Sequence, residues 1–197
     1  MTWIKICGMT TSEAVQSAVE AGANAVGFVF APSKRQVSAE QAARLAEAVP
    51  SSVLRVAVML HPTQAQVDEV LAVFEPDVLQ TDAKDFEALR IIEDVQVLPV
   101  WRDGNALLKR LPPRLLYEGK VSGAGAIADW QAARTLAGRT EVVLAGGLNP
   151  TNVAQAIDVV SPFGVDVSSG VESAPGVKDP RKIEEFIRAV RSLARNA

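Results

Sequence analysis

Short apolar runs alternate along the whole chain with longer stretches in which apolar positions recur every three or four residues. The short runs predict strands at Trp3–Cys7, Ala25–Phe30, Leu54–Leu60, Val78–Thr81, Gln96–Trp101, Leu115–Glu118, Val142–Gly146 and Val165–Ser168. The longer stretches predict helices near Ser12–Ala21, Ala39–Val49, Thr63–Phe74, Asp85–Ile92, Asn105–Arg110, Ile127–Leu136, Pro150–Val159 and Pro180–Ala194. The last is the clearest. Ile183, Phe186, Ile187, Val190 and Leu193 share one face, and Lys182, Glu184, Glu185, Arg188 and Arg191 the other. Asp179 stands as its N-cap, before Pro180 at the first helical position.

Strands that alternate with helices pair in parallel through right-handed crossovers. Eight such units, each of about 25 residues, close naturally into a (β/α)8 TIM barrel. An open doubly wound sheet is the alternative, but Cys7-Gly8-Met9-Thr10 lacks the Gly-rich dinucleotide turn expected after a first strand. No linker or low-complexity tract divides the chain, so residues 1–197 read as one barrel domain.

Composition narrows the chemistry. One Cys among 197 residues forms no internal disulfide, which fits a reducing, cytoplasmic setting. One Cys and one His do not build a conventional zinc site. A net charge of −3 leaves no electrostatic footprint for nucleic acid. No apolar run has the length of a membrane helix, and the first residues are too polar for a signal peptide.

A barrel of this kind works at the C-terminal ends of its strands. Strand parity points Lys5 inward and puts Cys7 at the rim, with Ile4 and Ile6 facing the helices. By the same rule Glu118 ends the sixth strand inward, and Asp166 and Ser168 face inward on the eighth. Arg35 lies in the loop over the mouth. Glycine turns follow the seventh and eighth strands at Gly146-Gly147 and Ser168-Ser169-Gly170, with a further one at Ser122-Gly123-Ala124-Gly125 after the sixth. Turns after strands seven and eight commonly hold phosphate, because backbone N–H groups can approach it there. The only His, His61, lies at a different strand end, so no Cys–His triad forms. Proton transfer by the thiol is favoured over nucleophilic attack.

These blocks carry a family resemblance. Lys5-Ile6-Cys7-Gly8-Met9-Thr10 resembles the opening of the phosphoribosylanthranilate isomerases of tryptophan biosynthesis. Gly27-Phe28-Val29-Phe30, Ser33-Lys34-Arg35-Gln36-Val37, Leu144-Ala145-Gly146-Gly147-Leu148 and Asp166-Val167-Ser168-Ser169-Gly170-Val171-Glu172 continue it in the family's order, and Ala174-Pro175-Gly176-Val177-Lys178-Asp179 closes it. The resemblance implies an Amadori rearrangement of N-(5-phosphoribosyl)anthranilate to 1-(2-carboxyphenylamino)-1-deoxyribulose 5-phosphate, without cofactor or metal. It implies Cys7 as general base and Glu118 as general acid, with Arg35 on the anthranilate carboxylate and Asp166 beside the substrate. Gly146, Gly147, Ser168, Ser169 and Gly170 are implied to hold the phosphate.

Two departures stand out. Leu116-Tyr117-Glu118 replaces the family's usual Leu-Leu-Asp, and Leu79-Gln80-Thr81-Asp82 replaces Gln-Leu-His-Gly. They keep open an inactive phosphate-binding barrel or another sugar-phosphate enzyme. Lys5 reads equally as a structural residue paired with an acid and as an electrostatic one. His61 and Lys34 read as loop residues and the tryptophans as packing. The expected partner is a small phosphorylated molecule, with no nucleic acid and no membrane, and a monomer is preferred over a homodimer.

Overall fold

The structure, a computed structural model, describes residues 1–104, 111–120 and 127–193. The expected Asn105–Arg110 helix and Ser122–Gly125 turn lie outside these residues. Eight parallel strands close a barrel in chain order. They are β1 (Trp3–Cys7), β2 (Ala25–Val29), β3 (Leu54–Val58), β4 (Val78–Asp82), β5 (Gln96–Arg102), β6 (Arg114–Glu118), β7 (Glu141–Leu144) and β8 (Gly164–Val167). The seam is the β1–β8 pairing, with Lys5 opposite Asp166 and Ile6 opposite Val167.

Alternation sorts the side chains into two cores. Ala25, Val56, Leu98, Val100, Leu116 and Val143 fill the barrel, while Ile4, Ile6, Phe28, Leu79, Leu115 and Leu144 face the helices. Those helices are α1 (Ser12–Ala21), α2 (Ala39–Ala46), α3 (Gln64–Phe74), α4 (Trp130–Ala137), α5 (Val153–Val160) and α6 (Pro180–Leu193). Side chains fix their starts: Thr11 caps α1, and Ser38 with Gln41 and Thr63 with Gln66 form capping boxes on α2 and α3. Among the described residues no helix is long and apolar enough to cross a membrane.

Three differences from the sequence reading have physical causes. The Asp85–Ile92 stretch forms only a single 3-10 turn, Asp85–Glu87. Beyond it the Gln64 side chain takes both backbone groups of Arg90, accepting from its N–H at 2.9 Å and donating to its carbonyl at 3.0 Å. Those groups are then not free for a helical ladder. Helix α4 starts at Trp130 rather than Ile127, because Asp129 accepts from the backbone N–H groups of Gln131 and Ala132. An unforeseen hairpin, β9 (Glu172–Ala174) and β10 (Val177–Lys178), follows β8. Pro175-Gly176 turns it, with Gly176 at φ +86° as a type II turn requires.

Candidate active site

A cavity of about 760 Å³ opens at the C-terminal mouth of the barrel, and Cys7, Arg35, Arg102, Glu118, Asp166, Ser168, Ser169 and Glu172 all line it. Strand parity therefore brought Cys7, Glu118 and Asp166 to one space. Of the predicted phosphate residues, Ser168 and Ser169 line this cavity. Gly146, Gly147 and Gly170 are not among its lining residues.

Gly170 seats the turn after β8 on the turn after β7, and Gly147 seats the β7 turn on the segment that leads into α4. A Cβ on Gly170 would lie 1.9 Å from the Leu148 carbonyl oxygen, and one on Gly147 would lie 2.8 Å from the Ile127 nitrogen. Gly146 and Gly147 both have positive φ, at +88° and +66°. The turns after β7 and β8 are thus packed backbone to backbone.

At the base of the cavity Lys5 is fully buried and donates to Asp166 Oδ1 at 2.7 Å. Its ammonium lies close enough to the Cys7 thiol for each group to bear on the ionisation of the other. Gly27, opposite Cys7 on β2, makes room for both: a Cβ there would lie 3.0 Å from Cys7 Sγ and 3.1 Å from Lys5 Cε. Burial opposes the Lys5 charge, but Asp166 and Cys7 outweigh it and raise its pKa above the ordinary lysine value. Burial pushes the Cys7 thiol up. Lys5 and Lys178 pull it down and Asp166 pushes it up, with a net rise. The resting cysteine is a thiol.

On the β2–β8 side, Arg35 makes a side-on fork to Glu172, with Nε to Oε1 at 2.6 Å and Nη2 to Oε2 at 2.9 Å. Glu172 also accepts from Lys178 Nζ at 2.8 Å and from the Gly176 N–H at 3.1 Å. Lys178 reaches on to the Ser168 carbonyl at 2.9 Å. Burial works against the Glu172 carboxylate, yet Arg35 and Lys178 hold its pKa at about 2. Burial likewise lowers Lys178, and Glu172 recovers only part of the shift.

Across the mouth, Arg102 donates through Nη1 to Glu118 and through Nη2 to Asp82, the latter at 2.5 Å. Asp82 stands in the altered strand-four segment, so a carboxylate gripping an arginine occupies that end of β4. Gln80, inward on the same strand, is buried, and its Oε1 has no partner among the described residues. His61 is exposed beside this network, with Nδ1 2.9 Å from Asp85 Oδ1 and Nε2 3.7 Å from Asp82 Oδ2. The Asp85 hydrogen bond leads its raised pKa. Trp101 packs into the core between barrel and helices.

Sequence reading missed Arg102, Glu172 and Lys178 as site residues. Arg102 shares the parity of Leu98 and Val100, so extending the fifth strand by one residue finds it. Glu172 and Lys178 sit on the hairpin, whose only advance signal was Pro175-Gly176.

The sequence matches the family model described as N-(5'phosphoribosyl)anthranilate (PRA) isomerase over residues 4–189. It is 41% identical over 193 residues to the N-(5'-phosphoribosyl)anthranilate isomerase of Streptococcus gordonii, covering 97% of this chain and 98% of that one. A crystal structure of phosphoribosyl anthranilate isomerase in complex with reduced 1-(o-carboxyphenylamino)-1-deoxyribulose 5-phosphate superposes with a TM-score of 0.81. It is 33% identical and covers 98% of this chain and 100% of that one. The phosphoribosyl anthranilate isomerase of Thermus thermophilus superposes with a TM-score of 0.85 at 29% identity and the same coverage. A closed eight-stranded barrel, the shared mouth cavity and these full-length matches agree: the chain belongs to the N-(5'-phosphoribosyl)anthranilate isomerase family.

Proposed function

We propose that this cavity performs the Amadori rearrangement of N-(5-phosphoribosyl)anthranilate, with Cys7 as general base and Glu118 as general acid. The observation that carries the reading is that Cys7 and Glu118 line one cavity with Arg35, Asp166 and Ser168. Glu118 gives its proton to the ribose ring oxygen as the C1–O bond breaks and the anilino nitrogen becomes a protonated Schiff base. The Cys7 thiolate then takes the C2 proton, leaving an enolamine that tautomerises to the ketone. Arg35 holds the anthranilate carboxylate and Asp166 stands beside the sugar. Ser168, Ser169 and the backbone of the Gly146-Gly147 and Gly170 turns receive the phosphate. No step calls for a metal or cofactor.

Two features of the resting site fit these roles. Cys7 is a thiol that must ionise before it acts, and Lys5 is the buried cation placed to stabilise its thiolate. Glu118 must carry a proton when the ring oxygen arrives, which requires its contact with Arg102 to loosen. Asp82 keeps Arg102 paired when it does. We propose a cytoplasmic setting in keeping with the chain's lone, buried cysteine.

The test is turnover of substrate generated in situ by wild type, Cys7→Ala and Glu118→Gln. Loss of one acid–base group costs about 10²–10⁴-fold. An active wild type with an unimpaired Glu118→Gln variant removes Glu118 from the acid role. An inert wild type that still binds a product analogue leaves only the phosphate-binding reading.

A further inference from the structure

We propose that Glu172 is the positioning residue that aims Arg35 at the substrate carboxylate, and so sets the preference for a carboxylated arylamine. The inference rests on the reading that Arg35 binds that carboxylate.

A guanidinium has two edges that can grip a carboxylate in parallel. Glu172 occupies the side-on edge of Arg35, through Nε and Nη2. The end-on edge, formed by Nη1 and the second hydrogen of Nη2, is left over. Among the described residues Arg35 Nη1 makes no hydrogen bond, and Arg35 lines the cavity. A planar carboxylate entering the mouth therefore meets a flat pair of donors already fixed in plane.

The fixing is thorough. Glu172 is 8% exposed and is itself held by Lys178 and by the Gly176 N–H of the hairpin turn. The stem of Arg35 is held as well. Gly8, with φ +81°, gives it passage over the end of β1, where a Cβ would lie 2.6 Å from Arg35 Cδ. The arginine is thus clamped at its stem by the residue after Cys7 and at its head by the hairpin after β8. A long, flexible side chain becomes a rigid fork. Glu172 neutralises one of the two cations it holds, so the cluster of Arg35, Lys178 and Glu172 keeps a net positive charge toward an anionic ligand.

The other cavity arginine is differently placed. Arg102 has each Nη group on a carboxylate, Asp82 and Glu118. Discrimination for or against a substrate carboxylate thus falls to Arg35, and its precision to Glu172.

The experiment compares kcat/KM for phosphoribosylanthranilate and for its aniline analogue lacking the carboxylate, in wild type, Glu172→Gln, Glu172→Asp and Arg35→Met. The amide N–H₂ introduced by Glu172→Gln would face donors and undo the fork. We expect the preference for the carboxylated substrate to fall about 100-fold in Glu172→Gln, chiefly through KM, because a displacement near 1 Å has that effect. Glu172→Asp keeps the charge and recovers part of the preference. The double variant Glu172→Gln/Lys178→Met removes the buried pair together and guards against misfolding by an orphaned lysine; it loses the preference equally. Equal losses on both substrates would make Glu172 a residue of stability alone and overturn the inference. An Arg35→Met variant that keeps the full preference would instead overturn the carboxylate role of Arg35, and the inference with it.

Discussion

Replacing Lys5 by Met separates the two roles of the buried cation. Lys5 is fully buried and its partner Asp166 is 8% exposed, with 2.7 Å between them. Methionine keeps the apolar stem and removes the ammonium, leaving the Asp166 carboxylate without its cation. Breaking a buried pair this way costs about 3–5 kcal/mol. Against a typical total of about 5–15 kcal/mol that is a large share, and at this chain length it lowers Tm by about 6–20 °C. The double variant Lys5→Met/Asp166→Asn removes both charges and recovers most of the loss. Cys7 behaves differently: both variants lack the cation that opposes its burial, so its thiol titrates still higher in Lys5→Met. Because Cys7 is the only cysteine, the pH dependence of iodoacetamide alkylation reads that ionisation alone. The reasoning is refuted if Lys5→Met melts within about 1 kcal/mol of wild type, or if its alkylation profile stays in place or moves to lower pH.

Further outcomes follow from the same geometry. With the Cys7 thiol raised above its ordinary 9.0, alkylation of the wild-type thiol by iodoacetamide should still be climbing with pH beyond about pH 9; a plateau already reached below about pH 8 counts against a raised thiol. The Glu172 carboxylate, lowered from 4.5 to about 2, stabilises the fold fully above the first value and loses that contribution as pH falls toward the second. Discounted for the open side of the cavity, this is worth about 2 kcal/mol, and urea titrations at about pH 7 and about pH 3 will show a smaller acid loss in Glu172→Gln than in wild type. Gly170→Ala forces its Cβ onto the Leu148 carbonyl, so the β7 and β8 loops must part; thermal melts should fall by about 1–3 kcal/mol or more. Gln80→Leu removes a buried acceptor with no partner among the described residues, so it should leave Tm unchanged or slightly higher.

Much of the site was legible because a barrel strand obeys a period of two. Once Trp3–Cys7 is a strand, Lys5 and Cys7 must share a face, and β8 opposite places Asp166 against Lys5. The pairing partner itself was not legible, since register between the first and last strands is a property of closure. Arg102 escaped because a strand stopped at Trp101 hides the next inward position. Glu172 and Lys178 escaped for a deeper reason. Charged residues in a short segment after a strand read as solvated, and only the hairpin's fold back onto Arg35 buries them. The fourth helix failed because a side chain from α3 competed for backbone groups that local period assigned to a helix.

The Lys5–Asp166 pair also bears on how the chain is made. Its members are 161 residues apart, so at about 5–20 residues per second the first strand waits roughly ten to thirty seconds on the ribosome for its counter-ion. Until the eighth strand arrives, Lys5 has no reason to leave water, and the pocket beside Cys7 does not exist. The charged environment of the thiol is therefore assembled by the last act of barrel closure. An unfinished or truncated chain carries an ordinary surface cysteine, and the finished one carries a base.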